Sequence, residues 1–153
     1  MNGNVSLHQI VQLMEVAFSE GKTATLTASG NSMLPLLHSG IDSVIFGPCD
    51  NPEELKRLDV PLYRRPDGRY VMHRIVKVNK DSFDMCGDGQ REIEKGVPKS
   101  AVKAKAVGFI RKGREFSVTS RKYRLYSFIW CAIIPLRGIA FKLNYKLRGR
   151  KHK

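Results

Sequence analysis

The sequence predicts a mainly β domain: a small, antiparallel, barrel-like sheet preceded by an N-terminal helix and followed by a basic amphipathic C-terminal helix. Three observations predict it. Between residues 23 and 113 the apolar residues come in short runs, rich in β-branched and aromatic side chains and separated by Gly, Pro, Asp and Asn. Helical spacing of apolar residues appears only before that region and after it. Of the 27 Lys and Arg side chains, ten fall in residues 121–153, where there is no Asp or Glu, while residues 1–120 carry seventeen basic and fourteen acidic side chains. The net charge of +13 therefore belongs to the tail.

Val5, Ile10, Val11, Met14, Ala17 and Phe18 recur at helical spacing behind Ser6, which predicts an amphipathic helix capped by that serine and ended near Gly21. Strands are predicted over 23–29, 42–47, 60–65, 68–79, 82–88 and 104–113. The stretch RRPDGRY places Pro and Asp-Gly where a tight turn needs them, and VNKDSF offers a second turn. Residues 60–88 therefore read as a three-stranded meander. Helical character returns at Tyr123, with an almost uncharged run from Leu125 to Leu136.

At 153 residues, with 42% hydrophobic and 27% charged side chains, the chain is expected to form one globular domain over 1–120 with an appended tail over 121–153. Cys49, Cys86 and Cys131 are widely spaced, which indicates neither a disulfide framework nor a cysteine zinc site and fits a reducing compartment. The first 22 residues lack a basic start and a long apolar run, and Glu15 and Glu20 interrupt them, so no signal peptide or membrane anchor is expected there. His8, His38 and His152 have no partners at ligand spacing. No metal or cofactor is expected.

Ser32, in SGNSMLPLL, follows a predicted strand, with Gly30 allowing close backbone approach and Pro35 stiffening the exit. A serine hydroxyl becomes a nucleophile only when a base takes its proton and donors stabilise the oxyanion. His73 is the best base by type, because an imidazole's ordinary pKa suits proton transfer near neutrality. Lys77 and Lys80 on the same predicted strand are the alternatives. Leu34 occupies the second glycine position of the GxSxG elbow and no parallel β/α pattern follows, so the α/β-hydrolase class is excluded. From the turn alone, Ser32 reads first as a loop hydroxyl that satisfies local backbone groups, and His73 as a half-buried strand histidine.

Four boxes in order change that reading. SGNSMLPLL resembles the nucleophile box of the type I signal peptidases and the related LexA-like autoproteases. LDVPLYRR is similar to their Gly-Asp-Val strand, MHRIVKV to the strand carrying the base followed by arginine, and CGDG to the Gly-Asp box. The resemblance spans residues 27–90 and implies a signal peptidase/LexA-like fold. It also implies serine endopeptidase activity on an extended leader or signal-like peptide. Ser32 would be the nucleophile, with His73 as general base in the manner of the endoplasmic-reticulum and archaeal enzymes. Asp88 matches the aspartate that orients or electrostatically supports the base, and Gly30, Met33 and Pro35 fall in the oxyanion and substrate-binding segment. Arg74 reads as structural. Leu58 departs from the family's glycine before Asp59, and no anchor precedes Ser32. About thirty residues come before Ser32, too few for a DNA-binding domain and a cleavable linker, which sets the repressor-type autoproteases aside.

In the tail, Leu125, Phe128, Ile129, Ala132, Ile133 and Leu136 form an apolar stripe, with Tyr123, Tyr126 and Trp130 as aromatics suited to a membrane interface. Arg121, Lys122, Arg124, Arg137, Lys142, Lys146 and Arg148 flank or follow it. The expectation is an interfacial helix on an anionic, cytoplasmic-side membrane surface. A C-terminal membrane span is the lesser reading, since Pro135 and Arg137 interrupt the run before a full span, and packing of the stripe on the domain's own sheet or on another subunit is the plain alternative. No nucleic-acid-binding signature accompanies the charge. Two functions follow: a peptidase working through Ser32 and His73, or a peptide-binding module of the same fold without turnover.

Overall fold

The computed structural model describes residues 6–134. The Ser6 hydroxyl accepts from the Gln9 N–H and the Gln9 side chain accepts from the Ser6 N–H, a reciprocal cap that starts helix α1 (Leu7–Ser19). The helix ends before Gly21, at φ 72°, as its sequence predicts. Val11 and Met14 are buried on its inner face, with Ile10 and Phe18 packed beside them. Val5, assigned to the same face, lies outside the described residues.

Nine strands follow among the described residues: β1 (Ala24–Thr27), β2 (Ser43–Gly47), β3 (Pro61–Arg64), β4 (Tyr70–Met72), β5 (Arg74–Val78), β6 (Ser82–Cys86), β7 (Glu94–Pro98), β8 (Val102–Arg111) and β9 (Arg114–Ser117). They form two antiparallel sheets. The larger has the order β1-β2-β8-β3-β4, with β9 also on β8, and it curls into a half-barrel; the smaller is β5-β6-β7. Register shifts at Ile45/Phe46 and Leu62/Tyr63, both against β8, supply local bends.

The meander expected over 60–88 divides between these sheets. β3 and β4 pair with each other in the larger sheet, while β5 and β6 pair in the smaller one. The predicted strand 68–79 is thus two strands, parted at His73. The hydrogen bonds explain the break: Ile75 donates to Asp59 O at 2.8 Å and accepts from the Leu58 N–H at 2.9 Å, so β5 leaves the β3 edge for the corner before it. β7 and β9 were not anticipated. Their sequences, EKGVP and REFS, carry too few apolar residues to alternate.

Alternation on β3 serves two cores. Leu62 joins a cluster with Val11, Met33, Leu37, Phe46 and Phe109, and Tyr63 joins one with Ile75, Phe83, Met85 and Val97.

Helix α2 (Arg121–Ala132) starts at Ser120, whose hydroxyl accepts from the Tyr123 N–H. Its buried residues are Tyr123, Ser127 and Cys131, spaced four apart on one face. The orientation departs from the sequence reading for the aromatics, while the aliphatic stripe stays outward. The aromatics expected at a membrane turn inward, whereas Leu125, Phe128 and Ile129 are 61%, 58% and 48% exposed. A buried ion pair beneath α2 draws in the hydroxyls and the indole N–H, and aliphatic side chains cannot serve it. Leu136, Arg137, Lys142, Lys146, Arg148 and His152 lie outside the described residues. Among the described residues no helix is long and apolar enough to cross a membrane.

Leu58 has φ 86°, in the left-handed region that favours glycine. Leu58→Gly should keep stability within about 1 kcal/mol of wild type, because relief of that backbone cost offsets lost burial and added unfolded-state entropy. Leu58→Val keeps apolar area but adds a β-branch, and should lose more than about 1 kcal/mol in urea unfolding. Equal losses in the two variants would show that backbone conformation is not the constraint there.

Candidate active site

The segment that carries Ser32 runs between β1 and β2 and is tied at both ends. Ala28 donates to Asp42 O and accepts from the Gly40 N–H, and the Gly30 N–H reaches the Ser39 hydroxyl at 3.0 Å. Asp42 is buried, and its carboxylate accepts from the N–H groups of His38 and Lys112. Burial opposes ionisation of Asp42, but those backbone bonds and His38 outweigh it and hold the carboxyl below its ordinary range.

The Cys86–Gly89 loop closes over the serine turn. The Gly89 N–H donates to the Ser32 carbonyl at 2.8 Å. A Cβ on Gly87 would collide with that carbonyl oxygen, and one on Gly89 would come within 2.7 Å of the Asn31 oxygen. Both glycines are therefore required by close approach of two backbones, and Asp88 is carried between them.

His73 stands at the seam where β4 ends and β5 begins, and it is 2% exposed. Its Nδ1 lies 3.1 Å from the Tyr63 hydroxyl, which donates to Glu94 at 2.7 Å. Arg65 Nε contacts both Glu94 carboxylate oxygens, at 3.0 and 3.1 Å. Burial, seconded by the Arg65 charge, pushes the His73 imidazole down to about 4, against the opposing charges of Glu94 and Asp88. The ring is neutral at pH 7. Burial works against ionisation of Glu94, but its bonds to Arg65 and Tyr63 prevail and hold it below the usual carboxylate range.

Ser32 and His73 line one cavity of about 240 Å³, together with Gly30, Met33, Met72 and Gln90. Among the described residues, neither the Ser32 hydroxyl nor His73 Nε2 is hydrogen-bonded, and they do not bond to each other. The N–H groups of Ser32 and Met33 likewise donate to no protein acceptor, which leaves two backbone donors beside the hydroxyl. No lysine lines the cavity; Lys77 and Lys80 are exposed elsewhere. Arg65 and Gln90 connect it to an open cleft of about 700 Å³ edged by Arg69, Arg91 and Glu92.

Two of the residues assigned from sequence take other positions. Asp88 does not orient His73 through Nδ1. Its carboxylate receives Arg74 Nε at 2.8 Å, Arg74 Nη2 at 2.7 Å and the Tyr126 hydroxyl at 3.0 Å, which leaves it an electrostatic influence on the imidazole. Pro35 is exposed and outside the cavity lining, because the turn at 33–37 directs it outward; the Leu34–Pro35 peptide is cis. Met33 borders the cavity but is mainly a core residue. Gly30, at φ 79° with open space on its Cα, lines the cavity. Arg74 is structural, as read.

Tyr63, Arg65 and Glu94 were missed. The first two sit inside LDVPLYRR, and the reach of Glu94 across the sheets left no local signal. Among the described residues no group of three His, Cys, Asp or Glu side chains is placed to hold a metal ion.

The depressed imidazole pKa makes the folded state bind fewer protons than the unfolded chain between about 4 and 6.5, so stability falls as pH is lowered through that window. The stability of wild type relative to His73→Gln should drop by about 3 kcal/mol between pH 7 and pH 4. A pH-independent difference in chemical denaturation would contradict a buried, neutral His73.

No protein-family model, no curated protein and no solved structure matches this chain.

Proposed function

We propose that this chain is a serine endopeptidase of the signal peptidase-like type, with Ser32 as nucleophile and His73 as general base. The observation that carries the reading is the shared cavity: an unengaged serine hydroxyl and unengaged backbone N–H groups from the β1–β2 loop meet a neutral, buried imidazole from the β4–β5 seam. The order of the four sequence boxes supports it. So does Leu58, which stands where the family carries glycine and adopts a glycine-like φ.

In this reading Ser32 Oγ attacks the scissile carbonyl and its proton passes to His73 Nε2. The tetrahedral oxyanion is met by the N–H groups of Ser32 and Met33. His73 then returns the proton to the leaving amine, and water repeats the cycle on the acyl-enzyme. A pKa near 4 makes His73 a weak base at rest, but the developing oxyanion and the nearby Glu94 carboxylate favour the imidazolium as charge separates. The half-barrel ends in β1 and β4, and Ala28 and Tyr70–Met72 border the cavity, so an extended leader or signal-like peptide adds main-chain bonds beside a strand edge.

The outward face of α2 presents Leu125, Phe128 and Ile129, with Arg121, Lys122 and Arg124 on the same helix. That pairing of exposed apolar and basic side chains suits an anionic membrane surface, where the enzyme would work peripherally from the cytoplasmic side. Peptide binding without turnover is favoured by one observation, the absence of a Ser32–His73 hydrogen bond in the resting site.

A diverse peptide library, mapped by mass spectrometry with and without anionic vesicles, tests these readings. Wild type is expected to cleave, and Ser32→Ala and His73→Ala to reduce cleavage by at least about 10³-fold while remaining folded by circular dichroism. Retained cleavage in either variant sinks the mechanism, and binding without cleavage by wild type selects the module. Phe128→Asp with Ile129→Asp should abolish vesicle sedimentation and leave cleavage of free peptides within about twofold.

A further inference from the structure

The orienting group of His73 is not the aspartate that the sequence suggests. A phenol has one proton to give, and Tyr63 has two polar neighbours. Glu94 is an ionised carboxylate held by Arg65, so it can only accept, and it takes the Tyr63 proton at 2.7 Å. The Tyr63 oxygen then faces His73 Nδ1, at 3.1 Å, with a lone pair. Two acceptors cannot share that contact, so the neutral ring carries its proton on Nδ1. Nε2 is left as the basic nitrogen, on a ring that borders the same cavity as Ser32.

We propose that Tyr63 and Glu94 are the positioning residues of His73: a carboxylate acting through a phenol, which together fix the imidazole tautomer that accepts a proton from Ser32. The role rests on the peptidase reading given above, while the tautomer itself does not. Glu94 Oε2 lies 3.9 Å from Nδ1, too far for a hydrogen bond but near enough to stabilise an imidazolium by its charge. No proton travels through the relay. The Ser32 proton moves to Nε2 and later to the leaving amine, and the Nδ1 and phenolic protons stay where they are. The groups facing the ring come from separate elements: Tyr63 from β3, Arg65 from the residue after it, Glu94 from β7 and Asp88 from the loop before β7, where Arg74 and Tyr126 occupy its carboxylate. The relay also joins the two sheets at the seam where His73 sits.

The test uses protein labelled with ¹⁵N in its histidine rings. Wild type, Tyr63→Phe and Glu94→Ala are compared by ring ¹⁵N–¹H correlation at pH 7, the His73 signals being assigned by their loss in His73→Gln. Each protein is also assayed for kcat and KM on the best library peptide. Wild type is expected to show the Nδ1–H form. Glu94→Ala frees the phenolic proton to turn toward Nδ1 and should convert the ring to Nε2–H; Tyr63→Phe removes the acceptor and should do the same. In both, kcat is expected to fall on the order of 10²-fold with KM within about threefold. An Nε2–H ring in wild type overturns the proposal, as does an unchanged tautomer in both variants. A tautomer that switches as expected, in a wild type that cleaves no peptide, supports the positioning of His73 and overturns the peptidase reading instead. If Tyr63→Phe fails to fold, the half-exposed Glu94 position still decides the outcome.

Discussion

A guanidinium taken out of water costs several kcal/mol unless its donors are met by well-placed acceptors. Arg74 is 1% exposed, and the way its donors are met organises much of the fold around it. Asp88 takes the bidentate pair, Leu58 supplies a carbonyl at 3.0 Å, and Tyr123 and Ser127 supply hydroxyls at 2.9 and 2.8 Å. Burial weakens the charge on Arg74, but the bonds and charge of Asp88 outweigh it and raise the pKa well above the ordinary arginine value. One side chain thereby ties β5 to the Leu58 corner, to the loop between β6 and β7, and to helix α2.

Those ties reach the site from both sides. Asp88, fixed by Arg74, by the Tyr126 hydroxyl and by the Trp130 indole N–H on its carbonyl, holds the glycine-flanked loop whose Gly89 N–H secures the Ser32 carbonyl. Arg74 also follows His73 directly, at the point where the chain crosses between sheets. Successive side chains in extended backbone project to opposite faces, so one residue enters the charged network and its neighbour a separate one with Tyr63 and Glu94. Two adjacent basic residues thus end in opposite states: an arginine kept charged by a carboxylate and an imidazole kept neutral by burial.

Local pattern carries far where neighbours in sequence are neighbours in space. The Ser6 cap, the Gly21 stop, the Asp-Gly turn before β4 and the apolar runs of β2, β3, β6 and β8 are decided over a few residues, and each appears in the sequence as a period or a breaker. β7 and β9 do not, because they are short and polar and their partners supply most of the apolar surface. The α2 aromatics turn inward for a related reason. Helical periodicity reports that a helix has two faces, but the direction each face takes was set by the hydrogen-bonding demand of Arg74 and Asp88, which aliphatic residues cannot meet.

The sequence by itself determined a mainly β chain flanked by helices, placed Ser32 after a strand and His73 among strand residues, and read Arg74 as structural. Tertiary structure alone decided that the strand containing His73 breaks into two sheets, that Asp88 serves the arginine, and that Tyr63 and Glu94 face the imidazole. The reason is distance along the chain. Tyr63 and Glu94 are 31 residues apart and lie on different sheets, and the hydroxyls that complete the Arg74 network come from 49 and 53 residues downstream. No period or short motif spans such separations, and only the closure of the sheets upon one another brings these groups within hydrogen-bonding range.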